Sequence, residues 1–195
     1  MLQNLYNNVS YMYPEANIWV TGHSLGGALA GLIGATFGAP TVAFEAPGER
    51  MAARRLHLPS PVSVLGLGNH IQSLMIQQPS TLHITHAYHT ADPLAMGTCT
   101  GVTSVCSLGG YAMESRYVHT HHPVPFAFSD VNRCHNGQVM RYDTVTHKGL
   151  SVSTRYHAIQ YVIENLLSED WEHGEEGSSV PELVNEDDCM VRVIS

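Results

Sequence analysis

The feature that most constrains the fold of this chain is a five-residue turn at residues 22–26, Gly-His-Ser-Leu-Gly. A short apolar run at residues 17–21 precedes the turn, and a run of small residues at 27–34 follows it. This pattern predicts a strand, a sharp turn and a helix in direct succession. Glycine is expected at both ends of the turn, because a Cβ at residue 22 or 26 would collide with the neighbouring strand or helix.

A serine in the middle of such a strand–turn–helix unit is typical of the nucleophile elbow of α/β-hydrolases. The predicted elbow consists of Gly22, His23, Ser24, Leu25 and Gly26. It places the serine at a helix N-terminus, where free N–H groups favour developing negative charge. The bare pattern is weak, and an ordinary glycine-rich turn is the alternative. The flanking strand and helix favour the catalytic interpretation.

The remaining chain alternates strand and helix patterns, which predicts an α/β domain with a parallel sheet. Apolar spacing indicates a first helix over residues 2–12. A buried parallel strand is predicted at 41–45, a further strand at 83–90, and an outer strand or hairpin arm at 139–145. The clearest helix is predicted over 158–168.

Size and charge limit the function classes that need to be considered. The 195 residues suffice for one domain, and 44% apolar with 13% charged residues indicates a globular chain. A net charge of −8 argues against a nucleic-acid partner. Acidic residues concentrate near the end, so we predict a domain over 1–168 and an acidic, loosely structured tail over 169–195.

Targeting signals are not visible in the sequence itself. No stretch approaches the ~20 apolar residues of a membrane span. The first residues lack the basic region and the apolar core of a signal peptide. Taken alone, these observations predict a cytosolic protein.

A serine nucleophile requires a base, and the base requires an acid that orients it. In α/β-hydrolases the chain order is Ser, then Asp or Glu, then His. Asp92 follows a predicted strand, although an Asp-Pro turn is the alternative interpretation. His157 stands directly before the last predicted helix, although a capping or surface histidine is possible there. The predicted triad is therefore Ser24, Asp92 and His157.

Thirteen histidines compete for the role of base. His83, His86 and His89 lie three apart on a predicted strand, so neighbours in this set face opposite sides and cannot share a metal. His119, His121 and His122 form a predicted loop cluster, for which adventitious metal binding is the alternative, and His135 and His147 fall on predicted loops or strand ends without a following core helix. We expect no metal and no organic cofactor.

The oxyanion hole is expected to be incomplete. The Leu25 N–H, directly after the nucleophile, is the predicted first donor. The second donor ordinarily comes from the loop after an earlier strand, and residues 2–12 are predicted as helix instead. Loss of one donor typically costs about 10²–10³ in rate.

The four cysteines leave two interpretations open. No pair has Cys-x-x-Cys spacing, which disfavours zinc and thioredoxin-type sites. Cys99 and Cys106 bracket a short loop that a disulfide can close in an oxidising compartment, whereas in the cytosol they would be free thiols.

Longer segments carry a family resemblance. Residues 18–30 are similar to class 3 (fungal-type) lipases. Within that family the chain resembles the fungal autophagy-related lipases in several blocks, at residues 35–49, 53–59, 83–93, 97–99, 109–116 and 141–144. The similarity covers most of residues 1–61, 79–116 and 134–189.

The resemblance implies a function and a location. It implies a triacylglycerol lipase and phospholipase with a lipid or membrane substrate, which dissolves autophagic bodies and vesicles inside the vacuole. Members of the family are single-pass type II membrane glycoproteins that pass through ER, Golgi and multivesicular bodies. The family's triad corresponds to Ser24, Asp92 and His157, and its lumenal setting favours disulfides.

The chain also departs from the family pattern. The membrane anchor, the early strands and the lid region are not in this sequence, so the α/β-hydrolase fold is expected to be partial. The segments 62–78 and 117–133, 17 residues each, interrupt matching blocks. They are interpreted as translated introns or as surface loops, and residues 190–195 as a third such run. The alternatives are a truncated, catalytically inactive product, a lipid-surface binder, and an esterase for soluble esters.

Overall fold

In the computed structural model of the chain, the described residues are 2–59, 82–99, 104–107, 134–169, 171, 181–184 and 186. The two interrupting segments, 62–78 and 117–133, lie outside the described residues, and so do residues 190–195. None of the helices within the described ranges is long and apolar enough to cross a bilayer.

The described strands form one mixed sheet in which the order in space follows the order along the chain. They are β1 (Val20–His23), β2 (Thr41–Phe44), β3 (Ile84–His89), β4 (Gln138–Tyr142) and β5 (Glu182–Val184). Strands β1 to β4 pair in parallel, and β5 pairs antiparallel to β4. The prediction of an α/β fold with a mostly parallel sheet is confirmed.

The register of the parallel strands determines which residues meet. Thr41 on β2 lies opposite Val20 on β1 and Ile84 on β3. The carboxyl ends of β1, β2 and β3 therefore lie side by side. Residues that follow these strands converge at one edge of the sheet, which is where open parallel sheets carry their sites.

The helices confirm part of the predicted pattern. They are α1 (Leu2–Met12), α2 (Leu25–Phe37), α3 (Arg50–Arg55), α4 (Thr144–Lys148) and α5 (Ile159–Val162), with a 3₁₀ turn at Thr154–His157 and a π-helical turn at Ile163–Leu167. The helix predicted over 2–12 is confirmed. The helix predicted over 158–168 begins at Ile159, but its second half is π-helical, so the regular α-helix is shorter than expected.

Small residues allow α2 to pack closely on the sheet. A Cβ on Gly27 would lie 2.9 Å from the Ala46 Cβ, and one on Gly34 would lie 3.1 Å from the Thr41 Cβ. The helix ends at Gly38, which adopts a left-handed conformation (φ 66°) suited to glycine. The run of small residues after the elbow therefore serves the contact between helix and sheet.

The opposite face of the sheet holds a separate apolar cluster. Val162 and Leu166 pack there on Ala87 of β3 and Tyr142 of β4. Trp171 lies against Tyr142, with ring centroids 5.3 Å apart. Burial of each large apolar side chain contributes roughly 1.5–3 kcal/mol to the free energy of folding. This packing holds the segment that follows residue 157 against the sheet.

One prediction about the later part of the chain is wrong. The strand predicted over 139–145 as an outer strand or hairpin arm is β4, which lies between β3 and β5. Of the predicted tail, 169–195, the structure describes only a few residues; they include β5, which pairs with β4, and Glu186, which accepts a hydrogen bond from Tyr88 on β3. The three residues of β5 have no apolar periodicity, and they pair where the edge of β4 offers unpaired backbone groups.

The described cysteines are disulfide-bonded. Cys99 and Cys106 form a disulfide with their Cα atoms 5.2 Å apart, and both pack with Leu94. Cys134 also takes part in a disulfide. The free-thiol interpretation therefore does not hold for these three residues.

Candidate active site

Ser24 occupies a strained turn between β1 and α2. Its backbone has φ 58° and ψ −131°, a conformation that non-glycine residues rarely adopt. The Ser24 N–H donates to the Phe44 carbonyl at 3.0 Å, and the Ser24 carbonyl accepts from the Gly27 N–H at 2.9 Å. These bonds hold the turn against both the neighbouring strand and the helix, so the strained geometry is fixed by the fold.

The two glycines of the elbow differ in their steric role. A Cβ on Gly22 would overlap the Gly26 carbonyl and lie 2.7 Å from the Gly27 nitrogen, so residue 22 must be glycine. A Cβ on Gly26 would meet nothing within 4 Å. The predicted collision at Gly26 is therefore wrong, because that residue lies on the exposed side of α2. The close approach falls on Gly27 instead.

The structure brings the three predicted triad residues together. His157 Nε2 lies 2.7 Å from Ser24 Oγ, and His157 Nδ1 lies 2.6 Å from Asp92 Oδ2. A carboxylate only accepts hydrogen bonds, so Nδ1 carries a proton, and an unprotonated Nε2 can accept one from the serine. This arrangement of serine, imidazole and carboxylate supports proton transfer from the hydroxyl to the imidazole.

Both interpretations of Asp92 are realised at once. Its Oδ1 accepts from the Leu94 N–H at 2.9 Å, as in an Asx turn, while Oδ2 faces His157. The side chain is completely buried. Burial by itself raises the pKa of the Asp92 carboxyl, but the hydrogen bonds from His157 and Glu45 outweigh it and hold the pKa below its ordinary value. Asp92 is therefore ionised beside the imidazole.

Two further histidines hold the backbone that carries His157. His23 Nε2 lies 2.7 Å from the His157 carbonyl oxygen, and His89 Nε2 lies 3.2 Å from the Tyr156 carbonyl oxygen. Because a carbonyl oxygen only accepts, both imidazoles donate. Burial lowers the pKa of both His23 and His89, which favours the neutral form of each ring. Sequence reasoning assigned neither residue this role.

The structure describes some of the other histidines that the sequence singled out. His86 and His89 lie on opposite faces of β3, as the strand period predicted: His86 lies beside His135, and His89 beside Tyr161. The cluster of His119, His121 and His122 lies outside the described residues. Within the part of the chain that the structure describes, no group of three or more His, Cys, Asp or Glu side chains is arranged to hold a metal ion.

Leu25 is the first residue of α2, so its N–H belongs to the group of helix N-terminal donors that no helical carbonyl accepts. Its position directly after Ser24 is that of an oxyanion donor. The Leu25 side chain is 66% exposed, and Leu29, one turn further on the same helix, is also exposed. An apolar surface therefore lies beside the serine.

Glu45 is a site residue that sequence reasoning missed. It follows β2 at the edge where β1 and β3 also end, and its carboxyl group lies within hydrogen-bonding reach of the Asp92 carboxyl group. The residue has φ 44° and is completely buried. A positive φ at a non-glycine residue leaves no signal in the sequence, although a glutamate directly after an apolar strand is an unusual position for a charged side chain.

A second cluster of ionisable groups lies on the α2 face of the sheet. His135 Nδ1 faces Glu186 Oε1 at 3.0 Å, and His135 Nε2 faces the Ala46 carbonyl oxygen at 2.8 Å. Both ring nitrogens meet acceptors, so the ring satisfies both contacts only as imidazolium. Burial lowers the pKa of His135, but the Glu186 carboxylate outweighs it, and the net pKa is raised. Tyr88 donates to the same carboxylate at 3.0 Å.

The chain has clear relatives among known proteins. Residues 1–51 match the protein family described as lipase (class 3). The chain is 48% identical over 177 residues to a protein named "Putative lipase ATG15" from Cryptococcus neoformans var. neoformans serotype D, strain B-3501A. Proteins of the same name from Penicillium rubens and Candida albicans are 43% and 47% identical over 190 and 165 residues.

The coverage of these relatives is unequal. The three alignments include 90%, 96% and 84% of this chain but only 28%, 23% and 23% of the respective relatives. This chain thus spans less than a third of the length of the curated relatives that it matches. No solved structure gives a significant match.

Proposed function

Because this chain is a relative of the class 3 lipases, we propose that it carries the hydrolytic centre of a serine lipase on an α/β-hydrolase fold. The observation that carries the proposal is the alignment of Ser24 Oγ, the His157 imidazole and the Asp92 carboxylate, with contacts of 2.7 and 2.6 Å. The strained elbow and the completely buried acid support it.

The proposed reaction is the hydrolysis of a carboxylic ester through an acyl-enzyme. Ser24 Oγ attacks the ester carbonyl carbon while His157 Nε2 takes the hydroxyl proton. The Asp92 carboxylate keeps the proton on Nδ1 and stabilises the imidazolium that forms. The imidazolium then gives its Nε2 proton to the leaving alcohol. A water molecule, activated by the same nitrogen, hydrolyses the acyl-enzyme and restores Ser24.

The Leu25 N–H is the proposed donor to the oxyanion of the tetrahedral intermediate. It lies at the start of α2, where the dipole of the helix adds to the stabilisation of negative charge. We assign the second donor of the oxyanion hole to none of the residues that the structure describes.

The substrate class that we propose is a lipid ester, either a triacylglycerol or a membrane phospholipid. The exposed Leu25 and Leu29 side chains support it, because they offer an apolar surface to an acyl chain beside the nucleophile. The relatives' name, which contains both "lipase" and "ATG15", supports a physiological role in the lysis of autophagic bodies within the vacuole.

The first test is covalent labelling of the purified chain with a fluorescent fluorophosphonate. Ser24→Ala is expected to abolish labelling, and the matched control Ser151→Ala, at an exposed serine, is expected to label like the wild type. Asp92→Asn is expected to label about 10⁴-fold more slowly, because an asparagine amide stabilises the wrong imidazole tautomer. A folded wild-type chain that does not label contradicts the proposal.

A second test identifies the substrate. Hydrolysis is measured on phospholipid vesicles, on a triacylglycerol emulsion and on a soluble short-chain ester. Faster turnover of the aggregated lipids supports a lipase. Turnover of the soluble ester alone identifies an esterase, and vesicle binding without turnover identifies a lipid-surface binder.

A further inference from the structure

Glu45 is a completely buried carboxyl group that the proposed reaction does not use. It stands at the first position after β2, between the Ser24 elbow and the segment that carries Asp92. Its φ of 44° is a conformation that a glutamate adopts only where the surroundings impose it. Because its backbone is strained and its side chain is buried, Glu45 holds its carboxyl group in a fixed position at this edge of the sheet.

The partners of the Glu45 carboxyl group lie at the proposed site. The His89 nitrogen donates to Oε1 at 3.2 Å and lies 3.4 Å from Oε2. His89 Nε2 lies 3.8 Å from Oε1, and the Asp92 carboxyl group lies within hydrogen-bonding reach of Glu45. Asp92 thus has Glu45 beside it in addition to its bonds from the Leu94 N–H and His157.

A hydrogen bond between two carboxyl groups requires a proton, because two carboxylates offer only acceptors. Asp92 receives the Leu94 N–H and the His157 Nδ1–H, and both donors favour its anion. Glu45 receives one backbone N–H and has no solvent contact. The proton therefore belongs to Glu45. Burial first, and the Asp92 charge second, raise the pKa of Glu45 well above its ordinary value.

We propose that Glu45 is a protonated positioning residue, which donates a hydrogen bond to the Asp92 carboxylate and thereby fixes the orientation of His157 towards Ser24. This inference rests on the proposed function, since it extends the triad by one residue. The carbonyl oxygen of the protonated carboxyl group accepts the His89 N–H, and the hydroxyl donates to Asp92, so both polar atoms are satisfied.

The electrostatic surroundings of Glu45 come from several elements. The titratable groups nearest to its carboxyl group are His89 on β3 and Asp92 on the following turn, with His157 beyond Asp92; Tyr88 on β3 interacts with it only through its charge. Burial lowers the pKa of His89, which favours the neutral ring, so among the described residues no cation in contact with Glu45 draws off its proton. Ionised Asp92 is the nearest acceptor for that proton.

The test compares two substitutions of Glu45 with a matched buried control. Glu45→Leu fills similar space without a donor, and we expect fluorophosphonate labelling about 10- to 100-fold slower, because a hydrogen bond to a charged group is lost. Glu45→Gln is expected to recover most of that rate, because its NH₂ donates to Asp92 while its oxygen accepts the His89 N–H. The control is Glu49→Gln. Glu49 is a buried glutamate directly before α3, and this variant is expected to label at the wild-type rate.

A spectroscopic measurement tests the proton itself. Infrared spectra at neutral pH, with isotope-labelled glutamate, are expected to show a protonated carboxyl band in the wild type and in Glu49→Gln. The band is expected to be missing in Glu45→Gln. This measurement decides the case even where Glu45→Leu fails to fold.

The outcomes separate the two proposals. If the wild type labels and Glu45→Leu labels at the same rate, the role of Glu45 is overturned and the serine lipase proposal stays intact. A spectrum without the Glu45 band has the same consequence. A Glu45→Gln rate as low as that of Glu45→Leu also overturns it. A folded wild type that does not label overturns the proposed function, and the role of Glu45 with it.

Discussion

At the scale of single residues, hydrogen bonds hold both the side chain of His157 and the backbone around it. His23 Nε2 donates to the His157 carbonyl at 2.7 Å, and its ring lies 4.8 Å from the His157 ring. His89 holds the preceding carbonyl, that of Tyr156. A base that loses either contact gains freedom to turn away from Ser24, which lowers the fraction of reactive geometries.

His23→Phe tests this support. Phenylalanine keeps an aromatic ring beside His157 but has no N–H for its carbonyl, so we expect fluorophosphonate labelling about 2- to 10-fold slower, as for the loss of one neutral hydrogen bond. His147→Gln, at an exposed histidine, is the control and is expected to label normally. A His23→Phe rate equal to that of the wild type would show that the contact does not position the base.

The sequence predicted Ser24, Asp92 and His157 as a triad, but it did not predict the residues that support them. Ser24 and Asp92 follow strands in recognisable turns, and His157 precedes a helix, so each has a local signal. His23 was noted only as the variable residue of the elbow, and its partner lies 134 positions away. Glu45 has no local signal that specifies a proton or a carboxylate partner.

At the scale of elements, the elbow depends on glycine at one end more than at the other. A Cβ would overlap backbone at Gly22, whereas it would point into open space at Gly26. The two residues flank the same serine, so they form a matched pair for substitution.

We expect Gly22→Ala to abolish labelling and to lower the free energy of unfolding by about 1–3 kcal/mol or more, because the turn must shift to admit the methyl group. Gly26→Ala is expected to label normally and to raise the free energy of unfolding by about 0.5–1 kcal/mol, since alanine is the better helix residue. Urea unfolding and labelling of both variants measure this. Equal damage from the two substitutions would contradict the assignment.

Strands inside the sheet could be predicted from the sequence, whereas the strand added at its edge could not. The run that became β2 is short and mostly apolar, as parallel strands covered on both faces require, whereas β3 mixes apolar residues with Thr85, His86 and His89. The three residues of β5 carry no such pattern. Their pairing with β4 follows from the edge that β4 leaves open, which is a property of the assembled sheet.

At the scale of the whole molecule, Glu186 ties the acidic C-terminal segment to the centre of the fold. It accepts hydrogen bonds from the His135 backbone N–H at 2.6 Å and from the Tyr88 hydroxyl. The pKa of His135 is raised above 6.5, so its contribution to stability is complete below that value and is lost as the pH rises through the folded pKa. The pKa of Glu186 is lowered from 4.5, so its contribution is complete above 4.5 and is lost as the pH falls through the folded pKa.

Both contributions are complete between pH 4.5 and 6.5. We therefore expect Glu186→Gln to lower the free energy of unfolding by about 1–3 kcal/mol in mildly acidic buffer and by less in alkaline buffer, where His135 is neutral. Urea unfolding of wild type and variant at the two pH values measures the difference. Glu182→Gln, at an exposed neighbour on β5, is the control. A loss that is the same at both pH values would contradict the ion pair.

The sequence by itself determined the local units: the strand–turn–helix around Ser24, the order of serine, acid and base, and the small-residue face of α2. These features depend on residues within a few positions of one another, and on periods that the backbone imposes. Tertiary structure alone decided the partners of Glu45, of His23 and of His135. Such contacts depend on which side chains the parallel register and the packing of helices bring together in a buried space, where a proton or a hydrogen bond must be supplied from a residue far along the chain.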